Sequence, residues 1–188
     1  MAVDFEQNLS GWTESRLSYR YGLILILPPE PIRSLVNSLR AEHDPISHAC
    51  CDAHISLTMP LPTEIDDEHW NEFEAVASSI RPFLTSYGPL ANSLPHPGVV
   101  LAVEPQGEID QLRAKIESCS AFLGAVPRPY PFWAHMTIAE FISVERTKEL
   151  MIDLHDAPSG AFMCDCVSHV VPDSNFRFVE RRKLFFRG

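Results

Sequence analysis

The chain carries two short segments that look like copies of each other. The first reads Asp-Ala-His-Ile-Ser-Leu-Thr at residues 52–58, and the second reads Trp-Ala-His-Met-Thr-Ile-Ala at residues 133–139. Both follow the pattern Ala-His-apolar-hydroxyl-apolar. Side chains alternate between the two faces of a β-strand. Each segment is therefore predicted to show a histidine and a hydroxyl on one face and to point two apolar side chains into a core.

The order of elements around these segments predicts an internal duplication. Strand, helix, histidine strand and helix follow one another before about residue 82, and the same order returns over residues 99–154. Strand-like and helix-like stretches alternate in this way in α/β and α+β proteins. The pattern leaves these two classes open and predicts two similar lobes that face each other. The histidine strands would then face each other across a central cleft.

The apolar patterns predict the individual elements and one domain. Residues 1–18 are polar and unpatterned and are expected to form a loose N-terminal extension, and residues 19–188 are expected to form a single domain. The predicted strands lie at residues 19–27, 53–59, 83–90, 99–104, 135–141, 161–171 and 176–186. The predicted helices are marked by apolar residues at 32–39, 70–80, 109–116 and 147–154.

Charge and composition narrow the classes of partner and compartment. The net charge of −10 argues against binding of long nucleic acid through broad phosphate neutralisation, although one local basic pocket can still hold a nucleotide or a short RNA end. The longest apolar run, at residues 23–27, is too short to span a membrane. Five cysteines, no Cys-x-x-Cys and no signal-peptide pattern predict a cytoplasmic protein with reduced thiols. A monomer is expected.

Three further clusters have a structural and a functional interpretation. A zinc site at Cys50, Cys51, Cys164 and Cys166 would have spacings that match no common pattern. The carboxylates at residues 66–68 suit either a metal or, more simply, the dipole of a starting helix. The basic residues near the C-terminus suit a charged edge strand or a contact to substrate phosphate; they are Arg177, Arg181, Arg182, Lys183 and Arg187.

The two motifs permit acid–base chemistry on a phosphodiester. Histidine exchanges protons near neutral pH, so one of His54 and His135 can act as a base while the other acts as an acid. Ser56 and Thr137 can each donate a hydrogen bond to a phosphate oxygen where charge builds up. This scheme needs no metal and no other cofactor. The motifs alone leave open which histidine is the base and which is the acid.

The paired His-x-Ser/Thr motifs resemble those of the two-histidine (2H) phosphoesterase superfamily, the 2′-5′ RNA ligase and cyclic phosphodiesterase group. The resemblance extends from about Tyr19 to the closing strands. It implies an α+β fold that is bilobal, with two pseudo-symmetric lobes around a central cleft, each with an antiparallel sheet and flanking helices. It also places His54, Ser56, His135 and Thr137 at the four catalytic positions. Many members of that family hydrolyse cyclic phosphodiesters without a metal, commonly 2′,3′-cyclic phosphates on nucleotides or RNA ends. Several bacterial members have an arginine shortly after the second motif, where this chain reads Ala-Glu-Phe at residues 139–141.

Three functional hypotheses remain open at this point. The first is a cyclic phosphodiesterase acting on a nucleotide or a short RNA end that bears a cyclic phosphate. The second is a 2′-5′ phosphodiesterase or RNA ligase on the same site, and the third is a nucleotide- or RNA-binding module without turnover. Tyr130 and Phe132, which precede the second motif, are candidates to stack on a substrate base. The alternative for both rings is packing of a proline-rich loop.

Overall fold

The structure is a computed structural model that describes residue 3 and residues 5–188. The α-helices are α1 (Glu14–Leu17), α2 (Ile32–His43), α3 (Pro45–Cys50), α4 (Asp67–Ser78), α5 (Gln106–Glu117) and α6 (Val144–Asp153). The strands are β1 (Leu23–Ile26), β2 (Ile55–Ser56), β3 (Phe83–Asn92), β4 (Gly98–Glu104), β5 (His135–Glu140), β6 (Gly160–Cys164), β7 (Cys166–Pro172) and β8 (Phe178–Phe185). The expected α+β class is confirmed.

The strands form one eight-stranded sheet in the order β6-β3-β4-β5-β2-β1-β7-β8, with every neighbouring pair antiparallel. The two motif strands, β2 and β5, are neighbours at its centre. In each half, the strand next to the motif strand also precedes it in the chain, because β1 leads through α2 and α3 to β2, and β4 leads through α5 to β5. The sheet is continuous, and the division into two lobes stays an interpretation of this repeat.

The stretch at residues 161–171, which the sequence predicts as one strand, is two strands separated by Asp165. The chain changes neighbours there, since β6 pairs with β3 in one half of the sheet and β7 pairs with β1 in the other. An eight-stranded sheet with the usual twist curls readily, and here the curl brings its two ends together. The ring of Phe83 in β3 stacks on that of Phe186 after β8, with centroids 6.2 Å apart.

A continuous apolar core fills one face of the sheet. Ile55 of β2 and Met136 of β5 point into it and are fully buried. Helices α4 and α5 cover this face; they contribute Trp70, Phe73, Ala77, Ile109, Leu112 and Ile116. Burying each large apolar side chain contributes about 1.5–3 kcal/mol. This core therefore fixes which face of β2 and β5 is left for polar side chains.

Helix α3 and the burial of Phe5 are two local features that the sequence patterns did not predict. Asp44-Pro45 ends α2 as predicted, but it also starts α3, because the Asp44 side chain accepts a hydrogen bond from the Ser47 backbone N–H and proline suits the first helical turn. Within residues 1–18, α1 forms and Phe5 is buried against Tyr21. The domain boundary near residue 19 stays a prediction.

All five cysteines are free. Within residue 3 and residues 5–188, no three His, Cys, Asp or Glu side chains are grouped as metal ligands would be. No helix in this described part is both long and apolar enough to cross a membrane.

Candidate active site

The register of the central strands brings the two motifs together. Ile55 lies opposite Met136 in the antiparallel pair of β2 and β5. Continuing this register by one residue in each direction places Ser56 opposite His135 and His54 opposite Thr137. Side chains directly opposite in such a pair have Cβ atoms about 4.5–5.5 Å apart. Since Ile55 and Met136 point into the core, these four side chains share the other face of the sheet, which we call the motif face.

Each motif histidine is oriented by the backbone two residues before it. The Nδ1 atom of His54 lies 2.7 Å from the carbonyl oxygen of Asp52, and Nδ1 of His135 lies 2.7 Å from the carbonyl oxygen of Trp133. A carbonyl oxygen only accepts hydrogen bonds, so each Nδ1 carries the proton and donates it. In the neutral ring, Nε2 is then the unprotonated atom. Both motifs thus offer Nε2 for proton transfer.

The alanine before each histidine is held in the same way in both motifs. Ala53 and Ala134 are fully buried. The N–H of Ala53 donates to the side-chain oxygen of Asn37 in α2 at 2.7 Å. The N–H of Ala134 donates to the side-chain oxygen of Gln106 in α5 at 2.9 Å, and the Gln106 amide donates back to the Ala134 carbonyl at 2.8 Å. The preceding helix of each repeat therefore fixes where its histidine strand begins.

Burial lowers the pKa of His54 to about 4, against the opposing effect of its hydrogen bond to the Asp52 carbonyl, and the positive charges of Arg40 and His135 lower it further. Burial also lowers the pKa of His135, while the bond to the Trp133 carbonyl opposes the shift. Both rings are therefore mainly neutral at neutral pH. A bound phosphate anion would raise both pKa values.

Arg40 is a site residue that the sequence reasoning missed. It is only 2% exposed, and its guanidinium donates to the Thr137 carbonyl at 2.8 Å and to the Cys51 carbonyl at 3.1 Å. It thereby joins α2 to the second motif segment and to the residue just before the first, and it places a fixed positive charge near His54. One feature of the sequence could have indicated its burial. Arg40 follows Val36 by four residues, so both lie on the same face of α2, and they are the two buried residues of this helix.

Arg177 also anchors the chain around the start of the first motif. Arg177, in the turn between β7 and β8, donates to the Asp52 carboxylate at 2.8 Å and to the Ala49 carbonyl at 3.2 Å. Asp52 in turn orients His54 through its carbonyl group. Arg177 is thus engaged in positioning the loop, and it illustrates why a run of basic residues need not bind substrate.

The other C-terminal basic residues that make contacts pair within the protein. Arg182 forms an ion pair with Glu74 and lies over the Trp70 ring, with its guanidinium carbon 4.3 Å from the centroid. Lys183 lies 3.8 Å from the Glu180 carboxylate. These contacts favour the edge-strand interpretation for Arg182 and Lys183.

The predicted stacking residues lie in the loop before β5. Phe132 packs against the core and has the Arg113 and Arg128 guanidinium groups over its ring at 5.4 and 5.3 Å. Tyr130 is exposed, and its ring lies 4.4 Å from the His96 ring. The packing interpretation therefore has direct contacts for Phe132, and a stacking role for both residues stays a prediction.

Trp133, which follows the predicted stacking residues in the chain, packs directly against one motif histidine. Its ring is 4.9 Å from that of His135 and is tilted by 34°. The ring and the carbonyl group of Trp133 thus contact the same imidazole. We infer that Trp133 restricts the orientation of His135 as well as lining its surroundings.

A β-bulge places Glu140 on the motif face. The register between β4 and β5 shifts between Val99 and Val100, so that Ile138 and Ala139 are both buried in succession. Glu140 therefore follows Thr137 on the motif face, although a regular strand would place it on the core side. Burial raises the pKa of the Glu140 carboxyl, while the nearby charge of Arg40 opposes this.

Comparison with known proteins identifies the family. The sequence pattern of the 2′-5′ RNA ligase superfamily matches residues 28–175 of the chain. No match was found among curated proteins.

Solved structures show the same fold. LigT of E. coli complexed with 3′-AMP is 18% identical, with a TM-score of 0.60 over 88% of this chain and 97% of LigT. LigT complexed with NADP+ is 18% identical, with a TM-score of 0.55 over 88% and 96% of the two chains. TT0787 of Thermus thermophilus is 16% identical, with a TM-score of 0.54 over 88% and 97%. With both motifs on adjacent strands of this fold, the chain belongs to the 2′-5′ RNA ligase superfamily of 2H phosphoesterases.

Proposed function

We propose that the protein is a metal-independent phosphodiesterase that opens 2′,3′-cyclic phosphates on nucleotides or short RNA ends. The observation that carries this proposal is the matched presentation of His54 and His135. Each donates Nδ1–H to the carbonyl two residues before it and leaves Nε2 for proton transfer. Two such groups on adjacent strands suit a reaction in which one proton leaves the nucleophile and another reaches the leaving oxygen.

The proposed reaction adds water across one P–O bond. A neutral imidazole takes a proton from water as the water oxygen attacks phosphorus. The bond from phosphorus to the 2′ or 3′ oxygen breaks. The imidazole of the other histidine, which is protonated beforehand, donates its Nε2 proton to that oxygen. Each proton transfer is typically worth about 10² to 10⁴ in rate. Ser56 and Thr137 donate to the non-bridging oxygens as their charge increases.

We assign His54 as the base and His135 as the acid. His54 has the pKa of about 4 and feels the positive charge of Arg40, so it is the ring that more readily stays neutral. His135 lies against the exposed Trp133 ring, and no comparable fixed charge lowers its pKa. The anionic substrate would favour the protonated form of His135.

Two observations support a small nucleotide ligand. Structures of E. coli LigT hold 3′-AMP, NADP+ and ATP, and this chain shares their fold. The net charge of −10 and the position of Glu140 on the motif face disfavour a long phosphate backbone. Tyr130 and Phe132 remain candidates for contacts to the substrate base.

The second candidate is a 2′-5′ phosphodiesterase or RNA ligase. The matched superfamily is described by 2′-5′ RNA ligase activity, and this favours the candidate directly. The same two imidazoles would serve it, because joining a 5′ hydroxyl to a cyclic phosphate uses the same base and acid with a different nucleophile. Substrate profiling separates the two candidates.

The test is hydrolysis of the four 2′,3′-cyclic nucleotides in EDTA, followed by phosphorus NMR. We expect turnover by the wild type and its near-complete loss in His54→Ala and His135→Ala. His155→Ala is the matched control, because His155 is exposed and its ring contacts only nearby groups, the Asp156 carboxylate and the Ile152 carbonyl, among the residues that the structure describes. Turnover confined to 2′-5′-linked dinucleotides would select the second candidate. Binding without turnover of any of these substrates would instead indicate a binding module.

A further inference from the structure

Phe141, the residue after β5, combines two unfavourable properties. Its side chain is 92% exposed, so the ring gains almost nothing from burial. Its backbone φ is +55°, in the left-handed region that bulky L-residues rarely adopt. Strained residues of this kind persist where the surrounding structure holds them, and they cluster at binding and catalytic sites.

A second phenylalanine shows what ordinarily accounts for such a conformation. Phe176 has φ of +61°, but its ring packs edge-on against Trp12, Tyr19 and Phe178, with centroids 5.2–6.2 Å away. The Arg16 guanidinium lies 4.7 Å above the same ring. Packing thus explains Phe176. Phe141 has no aromatic or cation–π partner among the residues that the structure describes.

The chain on both sides of Phe141 is anchored. The Glu140 N–H donates to the Asp44 carboxylate at 3.0 Å, and Asp44 is itself buried as the cap of α3. Two residues later, Ser143 caps α6 by accepting from the Arg146 N–H. The backbone of Phe141 is therefore held at the end of the strand that carries His135 and Thr137, and its ring extends from this fixed backbone into solvent.

We propose that Phe141 is a stacking platform for the base of a second nucleotide, the one joined to the nucleotide whose phosphate reacts. This rests on the proposed function. Phe141 lies just beyond the end of β5 and four residues after Thr137, at most about 13 Å away at the rise of an extended strand. This spacing suits a neighbouring base better than the reacting nucleotide itself. Aromatic rings stack on every base and so hold single-stranded ends without sequence preference.

The negative charge of the protein favours contact with the base of the second nucleotide over contact with its phosphate. The chain carries a net charge of −10, and Glu140, the residue before Phe141, lies on the motif face. A second phosphate would meet little attraction there. Contact with an uncharged base face supplies affinity for a short RNA end without a cationic groove. The preferred substrate is then a dinucleotide or short oligonucleotide that ends in a 2′,3′-cyclic phosphate.

The test compares Phe141→Asn with the wild type on a 2′,3′-cyclic mononucleotide and on a dinucleotide ending in a 2′,3′-cyclic phosphate. We expect KM for the dinucleotide to rise about tenfold, as loss of one stacked base implies, and kcat/KM for the mononucleotide to stay within about twofold. Phe141→Trp should retain the dinucleotide preference. Because asparagine tolerates the left-handed region, Phe141→Asn should keep or raise the melting temperature, whereas Phe176→Asn should lower it.

The proposal is wrong if Phe141→Asn changes both substrates equally or neither of them, or if Phe141→Trp loses the preference. Calorimetric binding of a dinucleotide 3′-phosphate gives the same comparison without turnover. Failure of the proposed function is a separate result, because the wild type would then process neither cyclic substrate. In that case, equal binding of the dinucleotide by the wild type and Phe141→Asn would overturn the stacking proposal independently.

Discussion

At the scale of single residues, the two motifs repeat atomic contacts as well as sequence. In each, a buried alanine fixes the strand start through a side-chain amide, and a carbonyl two residues before the histidine sets its tautomer. The repeated Ala-His therefore has a physical reason. A larger side chain than alanine would displace the buried backbone from the amide that holds it.

The roles of the Ser56 and Thr137 hydroxyl groups can be tested one residue at a time. Ser56→Ala and Thr137→Val each remove one donor to the phosphate oxygens while leaving the apolar core unchanged. We expect each variant to lower kcat for cyclic nucleotide hydrolysis about 10²-fold, as loss of one donor to a developing charge does elsewhere. Steady-state kinetics with the melting temperature as control measures this. An unchanged kcat in both variants would remove the hydroxyls from the mechanism.

At the scale of elements, Arg40 of α2 holds the two short motif segments in one place. Strand β2 contains only Ile55 and Ser56, so few backbone hydrogen bonds to neighbouring strands hold it in position. Arg40 adds hydrogen bonds to the carbonyl group of Cys51, just before the first motif segment, and to that of Thr137 in the second. The relative position of the histidines thus depends on a helix that precedes both of them.

Arg40→Lys and Arg40→Met separate the two effects of this residue. Both variants lose the planar guanidinium that reaches two carbonyl groups, and both should lower kcat. Only Arg40→Met removes the charge that lowers the pKa of His54. We therefore expect the acidic limb of the kcat/KM profile to move to higher pH in Arg40→Met and to move less in Arg40→Lys. If the acidic limb lay at the same pH in both variants, the proposed effect of the Arg40 charge on His54 would be contradicted.

The elements also show what sequence reasoning can reach. Periodicity located α2, α4, α5 and α6 and both motif strands, because each has an apolar face of regular spacing. It missed the division at Asp165, since the change of strand partner there is set by the curl of the whole sheet. It also missed the bulge that moves Glu140 to the motif face, because strict alternation gives the opposite side.

At the scale of the whole molecule, a second buried histidine links stability to pH. His169 of β7 is fully buried, and its Nε2 atom lies 2.9 Å from the Tyr21 carbonyl. Burial lowers the pKa of His169 to about 4, against the opposing effect of that hydrogen bond. Unfolding restores an ordinary pKa of about 6.5. The unfolded chain therefore binds the extra proton first, and stability falls as the pH drops from about 6.5 towards 4.

His169→Gln tests this linkage. Wild-type protein should lose on the order of 1–2 kcal/mol of unfolding free energy between pH 7 and pH 5 through His169, in addition to a loss of the same sign from His54. The variant should be less stable at pH 7 but should lose less between the two pH values. Urea unfolding at each pH, with the exposed His155→Gln as control, measures the difference. The same pH dependence in the variant and the wild type would contradict the assignment.

The central claim is that His54 and His135 act as one unit, and a double-mutant cycle tests it most directly. Single-turnover hydrolysis of a 2′,3′-cyclic nucleotide would be compared in the wild type, His54→Ala, His135→Ala and the double variant. We predict that each single variant loses nearly all activity and that the double variant is little worse than either, because neither proton transfer helps without the other. A folded single variant with near-full activity, or losses that simply multiply, would contradict the account.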